Sequence, residues 1–597
     1  MTAGGESRVA DDAGAEHDGG TGRRNRRMEV HWMDRNHTSR RRLLIVGWDG
    51  GTWRVFGPLA ERGLLPNLKA LMEQGAWGVL ESTIPYLTPA AWTTVLTGLH
   101  PQRHGIIGFH EKRFLGDASL GGEGDLRPVS SLSIRHPTLF DILGRADRRV
   151  MSINLPMTWP PRPVNGIMVT GMFTPPDAEL FTYPPELKDE LEPDKVDILG
   201  KPEFLPRIRR TVEYRNPDLV RKWTEIVRIR TRSILRLGRR HPWDFGIMML
   251  RGTDSIFHLL WNPVMELLDK DAPQTEMDRL LAGFFREVDA SLGSLSSAFP
   301  DSLILLVSDH GFGPRLQAAV YPNVCLEGHG FLFRRKGRAK RSFVRQLFRS
   351  GRRAVRKIME TVLSRAMTLK LLAKVKSRET RVLRSLDLER TLAHFVNIDN
   401  GNYGAVRLLK ETTRTMTEAE RSKLIDSIIT ALGTMTDPET GEPVVAKVGR
   451  ADEFFPDAAV DYLPEIVIRF RERYTGRVDP LETDLVKGRP ASSPGWHRSE
   501  GMFVLAGAPA KAAGQVEPIH LVDVAPLVLY LSGLPVPASM QGEVPLRLID
   551  DDYVTRHPLQ KSEETLEETA AEKTDAAYTR KEEQQLRDHL RQLGYLG

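Results

Sequence analysis

The chain is 597 residues long, 40% hydrophobic and 27% charged, the balance of a soluble globular protein with room for more than one core. A formal net charge of +6 is too small at this length to point to a partner, and the single cysteine, Cys325, excludes an intramolecular disulfide. No apolar run approaches the roughly 18 residues that span a bilayer; the best, IHLVDVAPLVLYLSGL, is broken by His520, Asp523 and Pro526.

Residues 1–40 are polar and rich in Gly and Arg, which predicts a disordered tail, and they contain no apolar core of a secretory signal. The twin-arginine-like SRRRLLIVGW has too short an apolar part and reads better as the first strand, so the expected location is the cytoplasm. The fold is expected to begin at Arg41. After a strand at Leu43–Trp48 comes one helix-like stretch, WRVFGPLAERGLLPNLKALMEQG, with Leu59, Leu65, Leu68 and Leu71 near helical spacing. A second helix, HPTLFDILGRADRR, leads into the strand VMSINLPM. This alternation predicts a mostly parallel α/β sheet flanked by helices. A basic helical stretch near 205–240 precedes the strand DFGIMML, and DSLILLV supplies another.

Beyond SDHGFGP the character changes. Residues 334–384 hold nineteen Lys and Arg against two acids, Glu360 and Glu379, interleaved with apolar residues. The sheet is expected to resume with AHFVN, YGAVRLL, EIVIRF and GMFVLAG and to close with a helix around VDVAPLVLYLSGL. In the charge-rich tail, Leu586, Leu590 and Leu593 share one face of a short helix. The expected partition is a tail at 1–40, a split catalytic domain at 41–332 and 387–550, a basic helical insertion at 333–386, and a charged tail with a short helix at 551–597.

Three acids, Asp49, Asp254 and Asp309, each stand at the end of a strand-like apolar run. In an open α/β sheet such ends converge on one edge, where reactive groups gather. His258 follows Asp254 by four residues, placing both on one helix face. His310 adjoins Asp309 at a strand end, where the glycines of GFGP allow both side chains to turn toward a metal. Carboxylate plus imidazole suits zinc, with manganese or iron also compatible. His497, in the Gly- and Pro-flanked loop SPGWHRSEG, is the remaining candidate ligand. Thr88, followed by Pro89, matches a helix start with Thr as N-cap, where a hydroxyl or phosphate would meet the positive end of a helix dipole. It is the candidate nucleophile, activated by metal.

In chain order, the acid after the first strand, T-P before a helix ending TGLHPQRHGI, TDSIFH, SDHGFGP and a late His before a strand resemble the alkaline phosphatase superfamily. They are most similar to its type I phosphodiesterase/nucleotide pyrophosphatase branch. INLPMTWPPRPVNGIMVTGM, NVCLEGHGFL and VDVAPLVLYLSGLPVPASMQGEVP extend the resemblance over about residues 41–332 and 387–548. It implies an alkaline-phosphatase-like α/β fold and two divalent ions, zinc first. One would be held by Asp49, Thr88, Asp309 and His310, the other by Asp254, His258 and His497, with Thr88 forming a covalent phosphoenzyme. One departure stands out: the family's asparagine three residues after the nucleophile is Ala91 here, which opens the substrate preference. A sulfatase is disfavoured, because the C/S-x-P-x-R motif is missing.

Each site residue taken alone has a plainer reading: Asp49 as a turn acid, Asp254 as a helix cap, Thr88 as an N-cap. Their joint order favours the site. His100 and His104 read as structural. The basic insertion reads as a solvated face, or as a surface for peripheral contact with an anionic membrane; with Phe343 and Phe348 the only aromatic residues within 334–384, nucleic acid is disfavoured. The expected function is phosphoester hydrolysis of a small molecule, nucleotide or lipid headgroup. The alternatives are a phosphomonoesterase or headgroup transferase of the same superfamily, and, in another class, a membrane- or nucleic-acid-binding scaffold.

Overall fold

The computed structural model describes residues 41–111, 127–175, 177–194, 217–315, 317–335, 385–398, 401–455, 463–479, 482–488, 495–563 and 577–592. The expected tail at 1–40 and residues 336–384 of the basic insertion lie outside the described residues.

Apolar runs with both faces covered build the centre of the sheet. Strand β1 (Arg42–Trp48) is buried from its second residue onward, as a strand sandwiched between helices must be. It pairs in parallel with β6 (Phe245–Leu250) on one side and β7 (Ser302–Val307) on the other. Parallel pairing continues outward through β3 (Val150–Leu155) to β4 (Gly166–Thr170), and β5 (Thr182–Tyr183) closes that edge antiparallel. On the other flank β17 (Glu500–Ala506) runs antiparallel between β7 and β2 (Ala76–Glu81). The sheet is mostly parallel, as expected.

Two apolar layers cover it. On one face α1 (Trp53–Glu61), α2 (Pro66–Gln74), α5 (Pro217–Arg240), α6 (Gly252–Leu268) and α7 (Glu276–Ala298) pack on Leu44, Val46 and Trp48. On the other, α3 (Thr88–Thr97), α4 (Leu139–Arg145) and α9 (Val524–Leu531) pack on Leu43, Ile45, Ile247 and Leu305. The single helix expected after β1 is two helices, because Gly63 takes a left-handed φ of +71° and Pro66 starts the second.

A larger difference concerns the later strands. AHFVN, YGAVRLL and EIVIRF do not rejoin the main sheet. They form β10 (Ala393–Asn397), β11 (Tyr403–Leu408) and β13 (Ile466–Phe470) of a separate antiparallel sheet, with β12 (Val445–Arg450) at its edge. This sheet has its own core: Phe395, Val406, Ile466 and Ile468 pack on Ile425, Ile428 and Leu432 of α8 (Glu418–Gly433). Only GMFVLAG enters the main sheet, as β17. The other face of the small sheet, through Val396, Ala405 and Val467, packs on Tyr86 and Ile107 beside α3.

Helix α3 is fixed on the sheet by one close approach. A Cβ at Gly47 of β1 would lie 2.4 Å from Cη2 of Trp92 and 3.1 Å from the Met248 carbonyl oxygen. Gly47→Ala is therefore expected to destabilise the fold by about 1–3 kcal/mol through overpacking, read as a lower urea midpoint. An unchanged midpoint would show that Trp92 and α3 shift without cost.

Candidate active site

Because β7, β1 and β6 are neighbours, the residues that follow them leave the sheet at one edge. Asp49 directly follows β1, Asp309 lies two residues beyond β7, and Asp254 stands in the first turn of α6 just after β6. The chain then turns sharply through β8 (Gly311–Pro314), which pairs antiparallel with β16 (Gly495–Arg498), with His497 opposite Phe312. This ribbon carries His497, distant in sequence, to the same place. The close approach of Asp254 requires Gly50: it has φ +71°, and a Cβ there would lie 3.3 Å from the Asp254 Cα.

All seven expected site residues are buried, and six of them form two groups. In one, Asp254, His258 and His497 bring ligand atoms within 4.8 Å of one another; in the other, Asp49, Asp309 and His310 do the same. His258 Nε2 and His497 Nε2 lie 3.2 and 3.4 Å from Asp254 Oδ1. His310 Nε2 lies 3.5 Å from both Asp49 Oδ1 and Asp309 Oδ2. The groups adjoin, since the rings of His310 and His497 stack with centroids 3.8 Å apart.

Thr88 is not the N-cap expected for α3. Leu87, with extended φ/ψ, holds that position, and Thr88 is the first helical residue. Its hydroxyl is therefore not used for capping. Thr93 and Thr97 donate back to the carbonyls of Pro89 and Thr93, Thr94 bonds His104, and Thr88 Oγ is buried with no hydrogen-bond partner. Thr88 hydrogen-bonds to none of the other six residues; Trp92, one turn further along α3, packs against Gly47 of β1. Ala91 is wholly buried in the core under α3. His104 is structural: its Nδ1 accepts from the Ile106 N–H at 3.1 Å, and burial pushes its pKa down to about 3.

A second layer holds the loops. The Gly50 N–H donates to Asp309 Oδ1 at 3.2 Å, the Ser308 hydroxyl donates to the His310 carbonyl, and the Thr253 hydroxyl donates to the Asp49 carbonyl. His310 Nδ1 lies 3.2 Å from the Gly311 carbonyl, which assigns it the proton and leaves Nε2 as the ligand atom. Arg498, which sequence reasoning missed, donates to the carbonyls of His497 at 2.9 Å and of Pro314. It locks the ribbon on which His497 rides, and nothing in HRSEG distinguishes it from a surface arginine.

The electrostatics are those of a cation site. Burial, with Asp309 and Asp254 nearby, raises the Asp49 pKa well above the usual carboxylate range. Burial also raises Asp309, against the opposing pull of His310. Burial disfavours ionised Asp254 as well, but His258 and His497 outweigh it and hold its carboxyl well below its ordinary value. Burial and the neighbouring His310 keep His497 neutral, the form that binds metal. Both oxygens of Asp49, Oδ2 of Asp309 and Nε2 of His310 are buried without hydrogen-bond partners. Such atoms are costly to bury unless a cation meets them. The two donor sets therefore fit divalent ions, and their mixed imidazole and carboxylate chemistry does not fix which.

The model of the family described as type I phosphodiesterase / nucleotide pyrophosphatase matches residues 43–407. Among solved structures, human ectonucleotide pyrophosphatase/phosphodiesterase 5 is similar at 12% identity and a TM-score of 0.43, covering 86% of this chain and all of the other. The murine protein is similar at 13% identity and 0.44, covering 85% and all of the other. No curated protein matches the sequence.

The raised carboxyls fix a pH dependence. Above the ordinary carboxylate pKa, folded metal-free chain retains protons on Asp49 and Asp309 that unfolded chain has released, so their contribution to stability falls as pH rises through that window. His497 acts with the opposite sign, gaining stability as pH rises toward 6.5, but it is already neutral and gives up no proton to a metal. Metal binding should therefore release protons and tighten with pH. The gain in unfolding temperature on adding zinc should be larger near about pH 7.5 than near about pH 5.5, with about 2.7 kcal/mol of stabilisation at a hundredfold excess over Kd. A pH-independent gain would show that the carboxyls are ionised before metal arrives.

Proposed function

This chain belongs to the type I phosphodiesterase / nucleotide pyrophosphatase family, whose members are phosphoric ester hydrolases, and we propose that it is a two-metal phosphodiesterase with Thr88 as its nucleophile. The observation that carries this reading is the coincidence of two buried ligand groups with a buried threonine hydroxyl that has no other task.

Asp49, Asp309 and His310, with Thr88, would hold one ion, and Asp254, His258 and His497 the other. The ions, when bound, would lower the pKa of the Thr88 hydroxyl and neutralise charge on the attacking and leaving oxygens. Thr88 Oγ gives up its proton to solvent and attacks phosphorus in line; the bond to the leaving oxygen breaks, that oxygen takes a proton from water, and the phosphothreonine so formed is hydrolysed by a second water that restores the Thr88 hydroxyl. The start of α3 aims its helix dipole at the developing negative charge. Arg498, Ser308 and Thr253 fix the loops so that the ligands need not reorganise as charge develops. No side-chain donor stands at position 91, so donors to the non-bridging oxygens come from other elements.

Hydrolysis of bis(4-nitrophenyl) phosphate by zinc-loaded protein should fall by on the order of 10²–10³-fold in Asp309→Ala. Thr88→Ala should retain metal but yield no phosphothreonine on rapid acid quench with labelled substrate. Faster turnover of 4-nitrophenyl phosphate than of the diester would replace the diesterase reading with a monoesterase. Full activity in Thr88→Ala would remove the covalent step.

A further inference from the structure

Two polar side chains at the same sheet edge belong to neither ligand group. Arg251 joins β6 to α6, three residues before Asp254, and is 8% exposed. Its guanidinium carbon lies 5.8 Å from the ring centroid of Trp223 on α5, and its Nε is fully buried without a hydrogen-bond partner. Among the described residues no carboxylate lies within ion-pair reach of it. Asn154 is the penultimate residue of β3, the strand beside β6, where Ile153 stands opposite Met248. It is 4% exposed, takes a left-handed φ of +59°, and its buried Oδ1 has no partner. The loop that follows places Met157 in the same apolar cluster as Leu87, the residue before Thr88, so this edge borders the nucleophile.

A guanidinium cannot discard its charge by deprotonation, and a buried cation needs a counter-charge. In metal-free protein the charge of Arg251 is felt at Asp49. With divalent ions on the acids, that compensation is consumed, and the remaining anion must come from a ligand. The planar donor fork of arginine suits phosphate, phosphonate or carboxylate oxygens, and the Nδ2 group of the Asn154 amide, near the end of the adjacent strand, offers further N–H donors. Trp223 backs the guanidinium and holds it away from bulk water.

We propose that Arg251 and Asn154 form a subsite for a second anionic group on the substrate, beyond the phosphorus under attack. The proposal rests on the two-metal reading of the neighbouring groups. The substrate would then be a phosphoester bearing another phosphate or carboxylate, and Arg251 a specificity residue that leaves the chemical step alone.

Three ligands with one reacting-site anion and different far ends test it: propylphosphonate, 3-phosphonopropanoate and propane-1,3-bisphosphonate, titrated calorimetrically into zinc-loaded full-length protein. The two doubly anionic ligands should bind about tenfold more tightly than propylphosphonate, the return on one charge-assisted contact. Arg251→Met should remove that advantage while changing propylphosphonate affinity by less than about twofold, and Asn154→Ala should reduce it in part. Arg251→Lys, which keeps the charge but not the fork, covers the case in which the methionine variant does not fold, and should retain only part of the advantage. Equal affinity of all three ligands for wild-type protein would overturn the proposal. So would a uniform loss across all three in Arg251→Met, which would make Arg251 a counter-ion of the metal groups. Because the readout is binding, failure of wild-type protein to hydrolyse a diester would count against the phosphodiesterase reading and leave the subsite standing.

Discussion

Three carboxylates and three imidazoles, all buried, are pressed together at the carboxyl edge of one sheet, and most of the surrounding structure answers the electrostatic problem this creates. Water cannot solvate these groups, and this burial raises the pKa values of Asp49 and Asp309, with the neighbouring acids adding to the rise at Asp49 and His310 opposing it at Asp309. Without a cation the cluster opposes folding; with divalent ions the same proximity becomes affinity. Few other arrangements would justify leaving both oxygens of Asp49 without a donor in a protein interior.

The fold meets the demand with rigid parts. Asp49, Asp254 and Asp309 follow three adjacent strands whose register is fixed by apolar layers on both faces, so a slip of one residue would turn core side chains into the wrong layer. His497 cannot use that route, because β17 runs antiparallel to the others. It is delivered instead by the β8–β16 ribbon, locked by a buried arginine bonded only to carbonyl groups within that ribbon. Arg498 is positioned at a desolvation cost, and its return is the placement of one imidazole.

Much of this was legible in the sequence for physical reasons. Strands buried on both faces must be continuous apolar runs, so LLIVGW, FGIMML and SLILLV announced themselves, and an acid at the end of each marked the edge. A spacing of four residues is enough to put Asp254 and His258 on one helix face. What stayed hidden depends on three-dimensional neighbours. AHFVN, YGAVRLL and EIVIRF are apolar enough for the main sheet, and only their antiparallel pairing and the core under α8 separate them. Thr88 was displaced by one position, from cap to first helical residue, a shift that short-range patterns cannot resolve. Arg251, Asn154 and Arg498 look ordinary in sequence, since their burial, and which partners they meet there, are properties of the folded environment alone.

The division of labour follows from where each part of the chain arrives. The sheet edge fixes the reacting groups, but the walls around the nucleophile come from segments remote in sequence. Tyr86, two residues before Thr88, hydrogen-bonds Asn402 just before β11 of the small sheet, and its ring packs edge-on against Tyr403. From the C-terminus, the Tyr578 hydroxyl donates to the carbonyls of Val129 and Phe173 at 3.1 and 3.2 Å, and its ring stacks on Trp159 in the cluster that contains Leu87. Phe173, like Asn154 and Met157, has a positive φ, so the helix at Arg580–Gln592 begins beside the strained turns that border the site. Met157 and Phe173 lie beyond the ends of β3 and β4, and Tyr578 and Trp159 brace the chain there from outside the sheet. Chemistry on a scaffold of this kind can stay constant while the small sheet, the C-terminal helix and the β3 and β4 loops change what is admitted.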